Sequence, residues 1–176
     1  MVEGKYPTPT RRQAIAGVAV AFGALAAGSE VWGKTQQMQE APSTGANRTR
    51  TSLHQEVDFR ESSQRIYEVL LDSKQFAACT GMPADIDPKA GGALSMFGGL
   101  IVGRNVELIP NQRIVQAWRP TYWDPGDFSI VEFQLKSQSS GTKLILDHKA
   151  FPEGDYSHLD PGWHMQYWNP LTKYLG

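Results

Sequence analysis

An aromatic stripe near the end of the chain most constrains how this sequence can fold. The stripe consists of Trp163, Tyr167, Leu171 and Tyr174, whose spacing places them on one face of a helix. We predict that this C-terminal helix starts near Asp160 and Pro161, because an Asp cap before Pro at the first helical position is a typical start. Pro170 is expected to kink it. A helix with so wide an apolar face needs a second layer to cover it.

Segments of alternating apolar and polar residues predict that second layer. The predicted strands cover residues 51–59, 93–97, 100–109, 113–119, 128–136 and 142–149. Two short helices are predicted after the first strand, one capped by Ser62 or Ser63 and running to Leu71, the other over 74–78. Short turns between the later strands favour antiparallel pairing. The sequence therefore predicts an α+β fold, with a curved antiparallel sheet of about six strands around a long C-terminal helix.

The first fifty residues have a different composition from the rest. Arg11 and Arg12 precede an uncharged run of small and apolar residues at 14–27, which is shorter than the roughly 20 residues that span a bilayer. This arrangement is similar to a bacterial twin-arginine export signal, and we predict one at 1–27. Residues 28–50 are mostly polar and are predicted to be a flexible linker, so that the folded domain covers 51–176.

The predicted signal implies a periplasmic protein, or a membrane-anchored one if the segment is not cleaved. The alternative is a cytoplasmic protein with an alanine-rich tail. A formal net charge of −1 gives no electrostatic reason to expect nucleic acid as a partner. The chain has no Gly-x-Ser-x-Gly motif, phosphate-binding glycine loop or cysteine pair for zinc, so we predict neither a cofactor nor a metal site.

Several motifs of the predicted domain resemble one protein superfamily. They are Gly91-Gly92, residues 113–119 (RIVQAWR), residues 141–144 (GTKL) leading to His148, Gly162-Trp163-His164, and residues 167–171 (YWNPL). Together with the predicted element order, they resemble the START-like (SRPBCC) superfamily with its helix-grip fold. Within it, they are similar to domains homologous to the C-terminal part of the activator of the heat-shock protein 90 ATPase. The resemblance implies a cavity between sheet and helix, and it implies a chaperone as a possible partner.

Large aromatic side chains supply candidates for lining such a cavity. We expect the site of a small hydrophobic ligand, lipid-like or aromatic, to be lined by Trp118, Phe133, Leu146, His148, Trp163 and Tyr167. His148 is the expected polar anchor, and Tyr122 and Trp123 are expected at the cavity mouth. No catalytic residue is predicted, and the primary hypothesis is a binding protein rather than an enzyme.

Alternatives stay open for most of these residues. The aromatic side chains can equally pack against one another as core, and His148 can be a core histidine bonded to a backbone carbonyl or to Glu132. By resemblance, some START-like relatives are polyketide cyclases or aromatases, in which case His148 with Glu132 would supply an acid–base pair. His158 and His164 flank Asp160, but their separation of six positions does not place them on one helical face, so a surface or capping role is favoured over a metal site.

Overall fold

The computed structural model describes residues 49–176 of the chain. The predicted export signal and nearly all of the predicted linker lie outside the described residues. The strands are β1 (Ser52–Phe59), β2 (Asp85–Ile86), β3 (Ala93–Met96), β4 (Ile101–Ile109), β5 (Arg113–Pro120), β6 (Ser129–Gln138) and β7 (Gly141–Lys149). The helices are α1 (Ser63–Leu71), α2 (Ser73–Thr80), α3 (Tyr156–Trp163) and α4 (Asn169–Leu175). A π-helical turn, His164–Trp168, joins α3 to α4, and the three together are called the C-terminal helix.

All described strands belong to one antiparallel sheet with the order β1-β7-β6-β5-β4-β3-β2. Strands β2 to β7 form a meander, and β1 adds to its end by pairing with β7 along its whole length. This arrangement confirms the predicted fold class and the six predicted strands. The additional strand, β2, is two residues long, which is too short to show an alternating pattern in the sequence.

The two short helices begin and end at residues that satisfy their terminal backbone groups. The Ser62 hydroxyl accepts a hydrogen bond from the Arg65 backbone N–H (3.2 Å), which confirms one of the two predicted caps of α1. The Asp72 carboxylate accepts from the Gln75 backbone N–H (2.8 Å) and starts α2. Helix α2 ends at Gly81, whose φ of 74° is the left-handed conformation that glycine adopts readily.

The C-terminal helix starts four residues before its predicted start. It begins at Tyr156, and Pro161 lies inside it rather than at its first position. The prediction was wrong because the Asp160 carboxylate does not act as a cap. It accepts a hydrogen bond from the side-chain amide of Gln55 on β1 (2.8 Å), a partner far away in sequence.

An irregular turn precedes Pro170, where a kink was predicted. The Asn169 backbone N–H bonds to the His164 carbonyl, five residues earlier, as in a π-helix. Pro170 is the next residue and has no backbone N–H to donate. The wider π-helical turn therefore lies where the regular series of helical hydrogen bonds is interrupted. Helical backbone angles continue through Asn169 into α4.

The core lies between the inner face of the sheet and the C-terminal helix. Trp163, Tyr167 and Leu171 of the predicted stripe are all buried there, whereas Tyr174 is only partly buried. Trp168 joins them, because the π-helical turn brings this neighbour of Tyr167 inward as well. The aromatic stripe therefore covers the sheet, as the spacing predicted.

Gly103 allows β4 and β5 to approach closely where the core is most aromatic. It is paired with Trp118 across the two strands. A Cβ atom at position 103 would lie 2.0 Å from the Ala117 carbonyl oxygen, a distance that only a shift of backbone can relieve. The position of Trp118 therefore depends on the absence of a side chain at Gly103.

Two Gly→Ala substitutions are expected to change stability in opposite directions. Gly103→Ala should lower the free energy of unfolding by about 2 kcal/mol or more, because the strands must separate. Gly162→Ala, in α3, should raise it by about 0.5–1 kcal/mol, since nothing lies within 4 Å of the added Cβ and alanine favours a helix. Urea unfolding of the two variants and the parent measures both values, and a Gly103→Ala variant as stable as the parent would contradict the close approach.

Candidate functional site

A pocket of about 360 Å³ opens between the C-terminal helix and the end of the sheet where β4 begins and β5 ends. We call it the aromatic pocket. Its lining comes from the sheet, the loops at that end and one side of the C-terminal helix. The lining residues are Met82, Phe97, Leu100, Ile101, Trp118, Pro120, Tyr122, His158, Leu159, Gly162, Trp163, Gln166 and Tyr167.

The rim of the aromatic pocket consists largely of exposed apolar side chains. Met82, Leu100 and Tyr122 come from three separate loops and are between 39% and 59% exposed. Two polar side chains, His158 and Gln166, lie on the helix side of the rim and are also exposed. The pocket therefore opens to solvent through a mouth that is apolar on the loop side and polar on the helix side.

Three nearly parallel indole rings form a stack, and two of them, Trp118 and Trp163, line the floor of the pocket. Trp163 stacks on Trp118 with 5.3 Å between ring centroids and on Trp168 with 5.6 Å, at interplanar angles of 18° and 20°. Tyr167 lies 4.5 Å from Trp163, and Phe97 meets Tyr167 edge-on at 5.4 Å. Aromatic pairs with these geometries contribute stability in addition to that of burying their apolar area. The relative positions of these rings are therefore fixed before a ligand binds.

A chain of hydrogen bonds fixes this floor to the sheet. The Trp163 indole N–H donates to Nδ1 of His148 (3.2 Å). Because Nδ1 is the acceptor, the neutral ring carries its proton on Nε2, which donates to the Ser129 hydroxyl (2.7 Å). That hydroxyl in turn donates to the Trp118 backbone carbonyl (2.9 Å). Every polar atom of the His148 ring is thereby satisfied.

Burial keeps His148 neutral. The side chain is fully buried, and this burial lowers the pKa of His148 from 6.5 to about 3. An imidazolium would also lose the acceptor that the Trp163 N–H requires. The ring is therefore a structural hydrogen-bonding group at neutral pH rather than a proton carrier.

The structure brings together only part of the predicted site. Trp118, Trp163 and Tyr167 line the aromatic pocket, and Tyr122 lies exposed at its rim. Phe133 and Leu146 do not line it, since they are buried in the packed core of the sheet. His148 is likewise absent from the lining, because it lies beneath the floor that Trp118 and Trp163 form.

Trp123 also differs from its expected place at the mouth. It is 6% exposed and belongs to the core, and its indole N–H donates to the Asp155 carboxylate at the start of α3. Tyr122, its neighbour, is 59% exposed. The two aromatic residues of this loop therefore have separate roles, since Trp123 attaches the loop to the helix and Tyr122 remains at the rim.

The hypothetical acid–base pair of His148 and Glu132 does not exist. Val131 is the residue of β6 paired with His148, and Glu132 is its neighbour on the strand, so its side chain lies on the opposite face of the sheet. There Glu132 forms an ion pair with Arg113 (2.8 Å). The bonded core histidine was the right alternative, although its partners are Ser129 and Trp163.

Several lining residues were missed in the sequence. Gly162 and Gln166 are one helical turn apart and form the helix side of the pocket. Gly162, next to the aromatic stripe, could have indicated the pocket from the sequence, because a glycine leaves space where a side chain would otherwise pack. Met82 lies in a loop, and Phe97 and Leu100 lie in the turn between β3 and β4 rather than in the predicted strands 93–97 and 100–109.

One polar atom near the pocket floor lacks a partner. The indole nitrogen of Trp118 is buried and forms no hydrogen bond within the described residues. Burial raises the pKa of the nearby Tyr167 hydroxyl, and Trp118 lowers it to a lesser degree. The hydroxyl itself donates to the Met96 sulfur over 3.7 Å. Trp118 and Tyr167 are both buried, although their rings line the pocket.

Within residues 49–176, no three His, Cys, Asp or Glu side chains are grouped in a way that could hold a metal ion. His158 faces Asp155 at 3.7 Å and is exposed, and His164 is exposed on the other part of the C-terminal helix. No helix of this part of the chain is long and apolar enough to cross a membrane.

The curved antiparallel sheet, the two short helices and the long C-terminal helix over an aromatic pocket define a START-like, helix-grip domain. An HSP90 activator from Plasmodium falciparum has the same fold, with a TM-score of 0.69 and 24% identity over 72% of this chain and 97% of that chain. Residues 61–176 match the family described as Activator of Hsp90 ATPase homolog 1-like protein, and the chain belongs to that family. The predicted resemblance is thereby confirmed.

Two curated relatives carry related names. The chain is 25% identical to the human activator of 90 kDa heat shock protein ATPase homolog 1, over 67% of this chain and 35% of the relative. It is 25% identical to homolog 2 from Mus musculus, over 79% of this chain and 42% of the relative. The chain thus matches only about two fifths or less of the length of these relatives.

The neutral His148 should make folding stability depend on pH. In the unfolded chain its pKa is near 6.5, so below that pH the unfolded state binds a proton that the folded state does not. Stability should therefore fall as the pH decreases from 6.5 toward 3, by about 2 kcal/mol between pH 7 and pH 5.

The His148→Gln variant isolates this contribution, because an amide can still accept from Trp163 and donate to Ser129. Urea unfolding at pH 7 and pH 5 should show a smaller loss of stability in the variant than in the parent. His54 and the carboxylates titrate in both proteins and cancel in the comparison. Equal losses in the two proteins would show that His148 is protonated in the folded state as well.

Proposed function

We propose that this domain binds a small apolar ligand in the aromatic pocket. The observation that carries the proposal is an open pocket of about 360 Å³ with an aromatic floor and a rim of exposed apolar side chains. Pockets that bind small molecules have volumes of roughly 300–1,000 Å³ and are mostly lined by apolar groups. Leaving Met82, Leu100 and Tyr122 together in water is unfavourable unless a ligand or partner covers them.

The polarity of the pocket indicates an apolar body for the ligand. The Trp163 N–H is already bonded to His148, and the indole nitrogen of Trp118 is buried within the described residues. The floor therefore offers mainly flat π surfaces, and its polar atoms are buried rather than exposed. A polar group of the ligand would have to lie at the helix side of the rim, near His158 and Gln166.

The same contacts give little support to an enzyme of the cyclase type. A general base must come within hydrogen-bond reach of the proton that it takes. His148 lies beneath the floor, both of its ring nitrogens have partners, and Glu132 is on the other face of the sheet. Binding without covalent chemistry is the function that the pocket supports best.

Filling the pocket from Gly162 tests the proposal. Gly162→Leu places a side chain in the pocket from a position with nothing within 4 Å of its Cβ, so the fold should be retained. Titration with the uncharged fluorophore N-phenyl-1-naphthylamine should give an enhancement with the parent, and the affinity of Gly162→Leu should be lower by about tenfold or more.

The matched control is Thr172→Leu, which adds a leucine to an exposed position of the same helix outside the pocket. It should bind the fluorophore as the parent does. Equal affinity of Gly162→Leu and the parent would overturn the proposed site. Native mass spectrometry of the protein purified from the producing cells would reveal a retained ligand, and the same spectrum reports whether the predicted export signal has been removed.

A second candidate function follows from the family. The relatives named as activators of a heat-shock protein ATPase match this chain over 67% to 79% of its length. We infer that, if this function is retained, the domain contacts a chaperone of the Hsp90 type. Adding the purified chain should then raise the ATP hydrolysis rate of that chaperone from the same organism, and an unchanged rate at a large molar excess would reject this function.

A further inference from the structure

A second hollow, of about 580 Å³, lies beside the aromatic pocket. It is formed between the end of α2 and the last part of the C-terminal helix. Thr80 and Gly81 line it on the α2 side, and Asn169 and Lys173 line it on the helix side. In contrast to the aromatic pocket, this second hollow has polar groups on both walls.

The two concavities adjoin along the turn after α2. Gly81 lines the second hollow, and the next residue, Met82, lines the aromatic pocket. On the C-terminal helix, Met165 lines the hollow and its neighbour Gln166 lines the pocket. Met82 and Met165 are 39% and 59% exposed, and methionine side chains of this kind adapt readily to a bound apolar chain.

One side of the C-terminal helix borders both concavities. Gly162 and Gln166 lie in the pocket, and Asn169 and Lys173 lie in the hollow, at successive spacings of four, three and four residues. The distance from Gly162 to Lys173 along the axis is about 16 Å at 1.5 Å per residue. An extended single-chain molecule can therefore contact both.

The charge of the second hollow favours an anionic group. Lys173 is the charged residue in its lining, and no Asp or Glu of the described chain lines either concavity. Lys173 forms no ion pair within residues 49–176. Burial raises the pKa of the neighbouring Cys79 thiol to about 11, so it adds no negative charge at neutral pH. Asn169, four residues before Lys173, adds an amide donor on the same side of the helix.

We propose that the aromatic pocket and the second hollow together bind a single-chain amphiphile with an anionic head group. The apolar tail occupies the aromatic pocket, and the carboxylate, sulfate or phosphate of the head accepts hydrogen bonds from Lys173 and Asn169. This inference rests on the proposed function of the aromatic pocket and adds the chemical class of the ligand. A charge-assisted hydrogen bond to the ammonium group is the expected source of head-group selectivity.

The presence of a lysine at position 173 also has a purely structural explanation, and the experiment must distinguish it from a role in ligand binding. It lies in the last turn of α4, where a cation stabilises the helix by interacting with the helix dipole. That role predicts a loss of stability on substitution but no change in the preference for one head group over another. The decisive measurement is therefore a ratio of affinities rather than an affinity.

The experiment compares dodecanoate with its uncharged counterpart 1-dodecanol at pH 8, below their aggregation concentrations, using the fluorescence of the pocket tryptophans. The parent should bind dodecanoate about fivefold to tenfold more tightly than dodecanol. Lys173→Gln should remove this preference and leave dodecanol binding unchanged. Lys149→Gln, an exposed lysine on β7 that lines neither concavity, is the control and should retain the preference.

The outcomes separate the two proposals. If both amphiphiles bind the parent equally, or if Lys173→Gln keeps the preference, the head-group assignment is overturned while the pocket proposal stands. If neither amphiphile binds the parent and Gly162→Leu has no effect on the fluorophore, the pocket proposal itself fails. The head-group assignment is supported if Lys173→Gln loses the preference for dodecanoate while the parent and Lys149→Gln keep it.

Discussion

The hydrogen bond from the Trp163 indole to His148 holds the C-terminal helix in one position on the sheet. Burial of apolar area has no direction of its own, so a hydrogen bond between helix and sheet selects one position more sharply than apolar contacts alone. The donor on the helix has its acceptor on β7, and the chain continues through Ser129 to the backbone of β5. An unpaired member of this chain would be buried without compensation, so every other register is disfavoured.

The same interaction determines what the pocket can recognise. Because the polar atoms of Trp163 and His148 bond to each other, the floor presents ring faces and no donors to a ligand. Gly103 contributes from the other side by allowing Trp118 to lie close enough for stacking. Chemical discrimination is therefore left to the rim and to the adjoining second hollow, where Gln166, Asn169 and Lys173 are free to meet a polar group.

The fold could be predicted from the sequence largely because its signals are local and periodic. The alternating strands and the stripe of Trp163, Tyr167 and Leu171 each extend over several turns or pleats, and the structure follows them. The start of the C-terminal helix could not be predicted, since Asp160 bonds to Gln55, 105 residues earlier. Local capping rules have no information about such a partner.

The candidate site was predicted less completely for a related reason. Strand alternation correctly places His148, Leu146 and Phe133 on the inner face of the sheet, but it does not say whether that face is covered. Rings of the C-terminal helix pack on Phe133 and His148, and the aromatic pocket opens at the end of the sheet near Leu100 and Tyr122. The position of an opening depends on loops and on small residues such as Gly162.

The exposed rim of the aromatic pocket is compatible with both proposed functions, whereas its interior concerns ligand binding alone. Met82, Leu100 and Tyr122 are exposed, so they can border a ligand site or contact a protein partner equally well. Gly162 is different, because a side chain added there extends into the pocket and leaves the exposed rim unchanged. Ligand binding depends on the depth of the pocket, whereas a protein contact depends on the outline of the rim. The interior position is therefore the one at which the two functions can be separated.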